Sequence, residues 1–285
     1  MVKFLLLQYR RLGFGTFFLF LSGLVLFSDG DKPIWLILTM AVAFALIMLV
    51  LAIIGIGIFP RYRTVYEMLG VIFLVVSAVD TAFPIVFDAL GSSGQIIVFM
   101  IVFAAAEHFF YGAGQHKLPA PSRWSGRTEF ITSSTPAEVW DRLVPNPDAP
   151  EKHYSGSLKE MTPDEGENTY RVMWRAGGSN FTVQDIEITE NEPKRRFSYR
   201  FGGLVSEANV PMNSGNWDLE LEETESGGTR ITIVETIEKT RIGFALFLWF
   251  DNWAAQVGES AAAILAQRKD RSVFAIIRRY IVETT

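Results

Sequence analysis

The residues able to carry chemistry are few in this chain of 285, and their spacing excludes more than it offers. There is no cysteine, so thiolate metal sites, cysteine nucleophiles and disulfide frameworks fall together. The three histidines, His108, His116 and His153, form neither a His-x-His nor a His-Glu-x-x-His pair, and no metal site is expected. No Gly-x-Ser-x-Gly elbow and no phosphate-cradling glycine loop occurs, and no cofactor is implied. One carboxylate stands out. Glu235 falls between Ile233 and Ile237, on the inward phase of an alternating run. There it is either an acid of raised pKa or an anchor for a ligand hydroxyl. The other readings are an internal ion pair with Arg171, Arg175 or Arg200, or a one-residue slip that turns it outward. Tyr170 and Tyr199 offer hydroxyls to a ligand or to the backbone. His153, beside Tyr154 after a proline-rich break, is expected at a cavity rim.

The elements that must position these residues are read from periodicity. Arg127 to Thr132 predicts a strand, and Thr135-Pro-Ala-Glu138 opens a helix over 136–143 with cap, N1 proline and capping glutamate in place. Val139 and Trp140 form its buried side, and Pro145, Pro147 and Pro150 then break the chain. Strand-like segments follow with turn signals between them: 156–161, Tyr170 to Trp174, Phe181 to Ile188, Phe197 to Phe201, Trp217 to Leu221 and Ile231 to Ile237. Apolar and polar residues alternate along those from Tyr170 onward, as in an antiparallel sheet with one wet face. A change of phase between Val183 and Ile186 predicts a bulge near Gln184-Asp185. Ile242 to Arg268 reads as one long helix with Leu246, Trp249, Phe250, Trp253, Val257, Ala261 and Ile264 on a common face. Its large aromatic start and small alanine end predict close packing at one end and a ligand-sized gap at the other. Phe244 and Leu248 fall opposite that face, toward lipid or the transmembrane helices, or under the 205–214 loop.

The first half of the chain has another character. The first 116 residues hold six basic and six acidic residues, so the net charge of −5 lies beyond them. Four apolar runs, 12–28, 34–59, 68–88 and 95–111, predict four transmembrane helices within a domain over 1–115. Ser28-Asp-Gly-Asp offers no cleavage site after the first run, which is read as an uncleaved helix. Lys3, Arg10 and Arg11, then Arg61 and Arg63, then Lys117, Arg123 and Arg127 alternate with base-poor loops. The positive-inside rule therefore puts both termini and the soluble domain in the cytoplasm, as in a bacterial inner-membrane protein. Asp80 lies deep in the third run as a buried protonated carboxyl or a transport group, while Glu107 and His108 sit near the inner end of the fourth, in an aromatic belt or a proton relay. Residues 116–125 read as a linker, 126–269 as the soluble domain and 270–285 as a tail. With 13% aromatics the chain is too apolar for disorder, and the acidic polar half argues against a nucleic-acid partner.

Strand, capped helix, proline-rich break, six strands and a C-terminal helix is the element order of the helix-grip fold. Phe130-Ile-Thr-Ser-Ser-Thr-Pro-Ala-Glu-Val-Trp-Asp resembles the opening of START-like, or SRPBCC, domains. Asn216-Trp-Asp-Leu-Glu-Leu and Gly228-Thr-Arg-Ile-Thr-Ile are similar to the last two strands, closest to the polyketide cyclase/dehydrase-like branch. The resemblance covers residues 125 to 268 and specifies a fold rather than a chemistry. It implies an α+β domain, a seven-stranded antiparallel sheet around a long C-terminal helix, with a cavity for a lipid, quinone, isoprenoid or polyketide-like molecule.

Together these readings predict a membrane-tethered domain that binds a hydrophobic small molecule, lined by Tyr170, Trp174, Tyr199, Trp217, Glu235, Trp249 and Trp253. Its partners are that molecule and the lipid bilayer. Val273, Phe274, Ile277, Tyr280 and Ile281 share one stripe beside Arg271, Arg278 and Arg279, as in a basic helix lying on an anionic leaflet or packed on the soluble domain. Such a tail, with the aromatic start of the long helix, puts the cavity mouth at the headgroup level. The rivals are a cyclase- or dehydratase-like enzyme using Glu235, and a docking module without a cavity.

Overall fold

The computed structural model describes residues 2–28, 30–85, 87, 94–112, 122–177, 180–206 and 214–275. They form two compact units: Met1–Pro119 with Trp249–Asp251, and Ala120–Leu248 with Asn252–Thr285.

The first unit is helical: α1 (Val2–Leu7), α2 (Tyr9–Phe27), α3 (Ile34–Ile58), α4 (Val65–Ala82) and α5 (Gly94–Phe110). Among the described residues three helices, α2, α3 and α4, are long and apolar enough to cross a membrane. This corrects the expected four. Helix α5 has 17 residues, about 25 Å at 1.5 Å per residue against a hydrocarbon core of ~30 Å. Glu107 and His108 are exposed at its end, beside Phe109 and Phe110. Helix α2 packs against both α3 and α4. Its crossing with α4 is close because glycines meet there: a Cβ on Gly70 would lie 2.7 Å from the Gly15 carbonyl oxygen. Hydroxyl pairs tie the same two helices, Thr16 to Tyr66 at 2.9 Å and Ser22 to Ser77 at 3.0 Å.

This unit also buries an ion cluster. Arg11 pairs with Glu67 and, at 2.9 Å, with Asp251, while Arg63 grips Asp251 at 2.6 Å and Tyr111 donates to Glu67. Arg11 and Asp251 have no exposed surface. Burial pushes the Asp251 carboxyl up, but the Arg63 hydrogen bonds and both guanidinium charges outweigh it and hold the group below the usual carboxylate range.

The second unit is a single antiparallel sheet of seven strands, in the order β1-β7-β6-β5-β4-β3-β2. The strands are β1 (Ser122–Thr132), β2 (Leu158–Pro163), β3 (Thr169–Gly177), β4 (Asn180–Glu192), β5 (Arg196–Ser206), β6 (Gly215–Glu223) and β7 (Thr229–Thr240). Burial alternates along β6 as the sequence does, with Trp217, Leu219 and Leu221 inward. The register of β4 against β5 shifts between Val183 and Asp185, where the phase change predicts a bulge. Helix α6 (Pro136–Leu143) begins in the predicted capping box: Thr135 accepts from the Glu138 amide and the Glu138 carboxylate accepts from the Thr135 amide. Val139 is fully buried and the Trp140 ring meets Phe197 edge-on.

The long C-terminal helix is two helices. Helix α7 (Ile242–Phe250) and α8 (Trp253–Leu265) are separated by Asp251 and Asn252, and Asn252 is left-handed at φ 51°. The break changes the helical phase, so the common face expected over 242–268 does not exist. Leu248 is buried at 1% and Phe244 packs on the core, the reverse of the outward placement expected for them. Trp249 is instead 44% exposed. Helix α8 packs on β1, and the approach is tight at Gly258, where a Cβ would lie 2.3 Å from Thr128 Oγ1. The start of the tail is pinned to the same unit: the Val273 amide donates to Gln256 Oε1 at 2.9 Å, Val273 is buried, and Phe274 packs on the core. Ile277 to Ile281, with Arg278 and Arg279, lie outside the described residues, as does most of the 116–125 linker.

Candidate functional site

Three neighbouring strands place one rung of side chains in register. Tyr199 of β5 pairs with Trp217 of β6, and Trp217 pairs with Glu235 of β7. Directly paired residues on one face touch across the sheet, and the Tyr199 and Trp217 rings stack at 5.4 Å. One step along the strands, Phe201 and Ile237 extend the same apolar floor. Above it stands Trp253 at the first turn of α8, whose Nε1 donates to Glu235 Oε2 at 3.1 Å. Phe274 closes on Trp253 with ring centres 4.6 Å apart. Between floor and roof lies a hollow of about 310 Å³.

Its remaining wall is more polar but internally satisfied. Trp174 of β3 donates to Gln184 Oε1 at 2.9 Å. His153 Nδ1 lies 2.8 Å from Ser155 Oγ, and its ring meets Trp174 at 5.5 Å. Burial presses the imidazole down to about 3, against a smaller raising effect of a hydrogen bond to Leu143. His153 is therefore a neutral wall at physiological pH. Burial also lifts Glu235 to about 7, with the Trp253 hydrogen bond pulling the other way, and holds the Tyr199 phenol well above its usual range. The small area that Glu235 exposes faces the hollow. A largely apolar hollow with one carboxyl whose protonated form burial favours suits a neutral molecule carrying a hydrogen-bonding group.

Of the residues expected at a cavity, Trp174, Tyr199, Trp217, Glu235 and Trp253 come together here. Glu235 forms no ion pair with Arg171, Arg175 or Arg200 among the described residues: Arg171 pairs with Asp164 and Asp185, and Arg200 with Glu187. Tyr170 lies elsewhere, in a cleft of about 250 Å³ with Trp140 and Phe197. It shares a strand with Trp174, but four residues at ~3.3 Å each carry it ~13 Å away. Trp249 belongs to the first unit and does not line the hollow. Phe201 and Ile237 were within reach of the sequence, since each follows a predicted lining residue by two positions. Phe244 was concealed by the helix break, and Phe274 by its place beyond the helix end.

No protein-family model matches the chain, and no curated protein does. Solved structures similar to about half of it include the Mll3558 protein from Rhizobium loti, 16% identical over 51% of this chain and 99% of that one, with a TM-score of 0.40. Ara h 8.0201 is 11% identical over 52% and 100%, TM-score 0.40. DynU16, from the dynemicin biosynthetic locus, is 19% identical over 55% and 51%, TM-score 0.37. The strand order, the helix laid across β1 and the capped helix between β1 and β2 give the second unit, on its own topology, the helix-grip fold.

Proposed function

We propose that this chain is a membrane-anchored binding protein whose helix-grip unit takes a neutral, largely apolar small molecule into the hollow beneath α8. The single observation carrying this reading is the Tyr199–Trp217–Glu235 rung roofed by Trp253. The volume of about 310 Å³ stands at the low end of the ~300–1,000 Å³ usual for ligand pockets. A ring-sized group, such as a quinone or polyketide-like ring or an isoprenoid end, fits better than a whole phospholipid. Tethering by α2, α3 and α4 supports a ligand dissolved in the bilayer, and the basic loops support a cytoplasmic face for the Arg10, Arg11 and Arg63 ends of α2 and α4; a cytoplasmic helix-grip unit then requires the shorter α5 to cross as well.

Native mass spectrometry of the detergent-solubilised protein tests the reading, with a co-purified apolar molecule as the expected result. Trp253→Arg should lose that molecule while the protein stays in membranes, and unchanged retention would count against the hollow as the site. A second reading is favoured by the Glu235 carboxyl itself, which at about 7 can both give and take a proton. As a cyclase- or dehydratase-like enzyme the chain would keep ligand but lose turnover in Glu235→Gln.

A further inference from the structure

The first unit carries a groove of its own, of about 720 Å³, which the binding reading does not use. One wall is α2 from Tyr9 to Phe20 and the other is α3 from Val42 to Ile53, with Val2, Leu5 and Leu6 of α1 at the Tyr9 end. Eleven residues of helix rise about 16 Å, which is half of a ~30 Å hydrocarbon core. The groove is therefore one leaflet long. It exists partly because Gly13 has no side chain: a Cβ there would meet nothing within 4 Å. Its lining is apolar apart from Thr16, whose hydroxyl is bonded to Tyr66, and Tyr9.

The Tyr9 end carries a fixed cation. Arg10 Nε donates to the Tyr9 hydroxyl at 3.0 Å and Nη1 to the Trp249 carbonyl at 3.1 Å. Its guanidinium carbon lies 5.7 Å from the Tyr9 ring centre and 5.4 Å from that of Trp249. These contacts engage two of the five N–H groups of a fork whose geometry matches phosphate. A positive head between two aromatic rings, joined to an apolar slot one leaflet deep, has the outline of one lipid molecule.

We propose that this groove holds an acyl chain of a single anionic phospholipid of the cytoplasmic leaflet, with its phosphate on Arg10. The inference rests on the membrane anchoring read above, and not on the hollow of the helix-grip unit. The test uses the full chain, stripped of lipid in detergent and given phosphatidylglycerol or phosphatidylcholine of matched chains. Native mass spectrometry should show one tightly retained lipid, with phosphatidylglycerol favoured about fivefold, the ratio expected from one basic contact. Arg10→Gln should remove that preference and keep the lipid, and Gly13→Leu should lose the lipid altogether. Equal retention of the two lipids by the unaltered chain, or unchanged retention in Gly13→Leu, would overturn the proposal. Should Gly13→Leu melt at a lower temperature, the Arg10→Gln comparison decides alone. Alkaline carbonate extraction separates the two layers of the argument. Release of the protein refutes anchoring and groove together, whereas an integral protein indifferent to lipid charge refutes only the groove.

Discussion

Glu235 is where single-residue chemistry is most exposed to experiment. Its carboxyl titrates near 4.5 when unfolded and at about 7 when folded, so between these values the native state holds the extra proton. Stability from this group is greatest below pH 4.5, falls as pH rises toward 7, and by pH 8 the deficit is roughly 3 kcal/mol. His153 acts oppositely, losing stability as pH falls from 6.5 toward 3. A comparison of Glu235→Gln with the unaltered chain cancels the histidine. The variant should gain in relative melting temperature from pH 5 to 8, and a constant difference would contradict a buried carboxyl. Trp253→Phe keeps an aromatic roof and deletes the donor to Glu235. The carboxyl should then titrate higher, which the pH limit of ligand retention would report. Asp251 makes a separate prediction. Exchanging it for asparagine removes the carboxylate that the buried Arg11 and Arg63 share, at an expected cost of about 3–5 kcal/mol by thermal unfolding in detergent.

At the level of elements, most strands were legible because a period of two survives in them, although β2 buries Leu158 and Met161 three positions apart, and even the irregularity in β4 shows as a slip from Val183 to Ile186. The capped helix was equally plain, its Thr135 and Glu138 being local signals. Two features were concealed. Alternation fixes the face on which a strand residue lies but not its position along the strand, which is why Tyr170 and Trp174 part company. A helical wheel assumes an unbroken helix, and Asn252 breaks this one. The polar pair Asp251-Asn252 within an apolar run was the available clue, since asparagine is among the few side chains that tolerate the left-handed region. Asn252→Ala should therefore destabilise by about 1 kcal/mol while Asn252→Gly should not. Equal melting of the two variants would show that the break is not held by this residue.

For the molecule as a whole, the charge asymmetry of the sequence foretold two units, but not that three residues would change sides. Trp249, Phe250 and Asp251 are counted with the helices that open the chain. A fragment beginning at Ser122 lacks Arg11, Arg63 and the Phe14 ring that meets Phe250. It should melt below the same unit in the intact chain, and equal melting would deny these residues a role in stability. The expected fourth span failed on length alone, a property that hydropathy reads less sharply than apolar character.

The position of Asp251 also imposes a schedule. Arg63 leaves the ribosome 188 residues before its partner, and at ~5–20 residues per second that interval is about 10–40 s. Throughout it Arg11 and Arg63 stand without the Asp251 carboxylate that joins them, so this cluster closes only after residue 251 has been made.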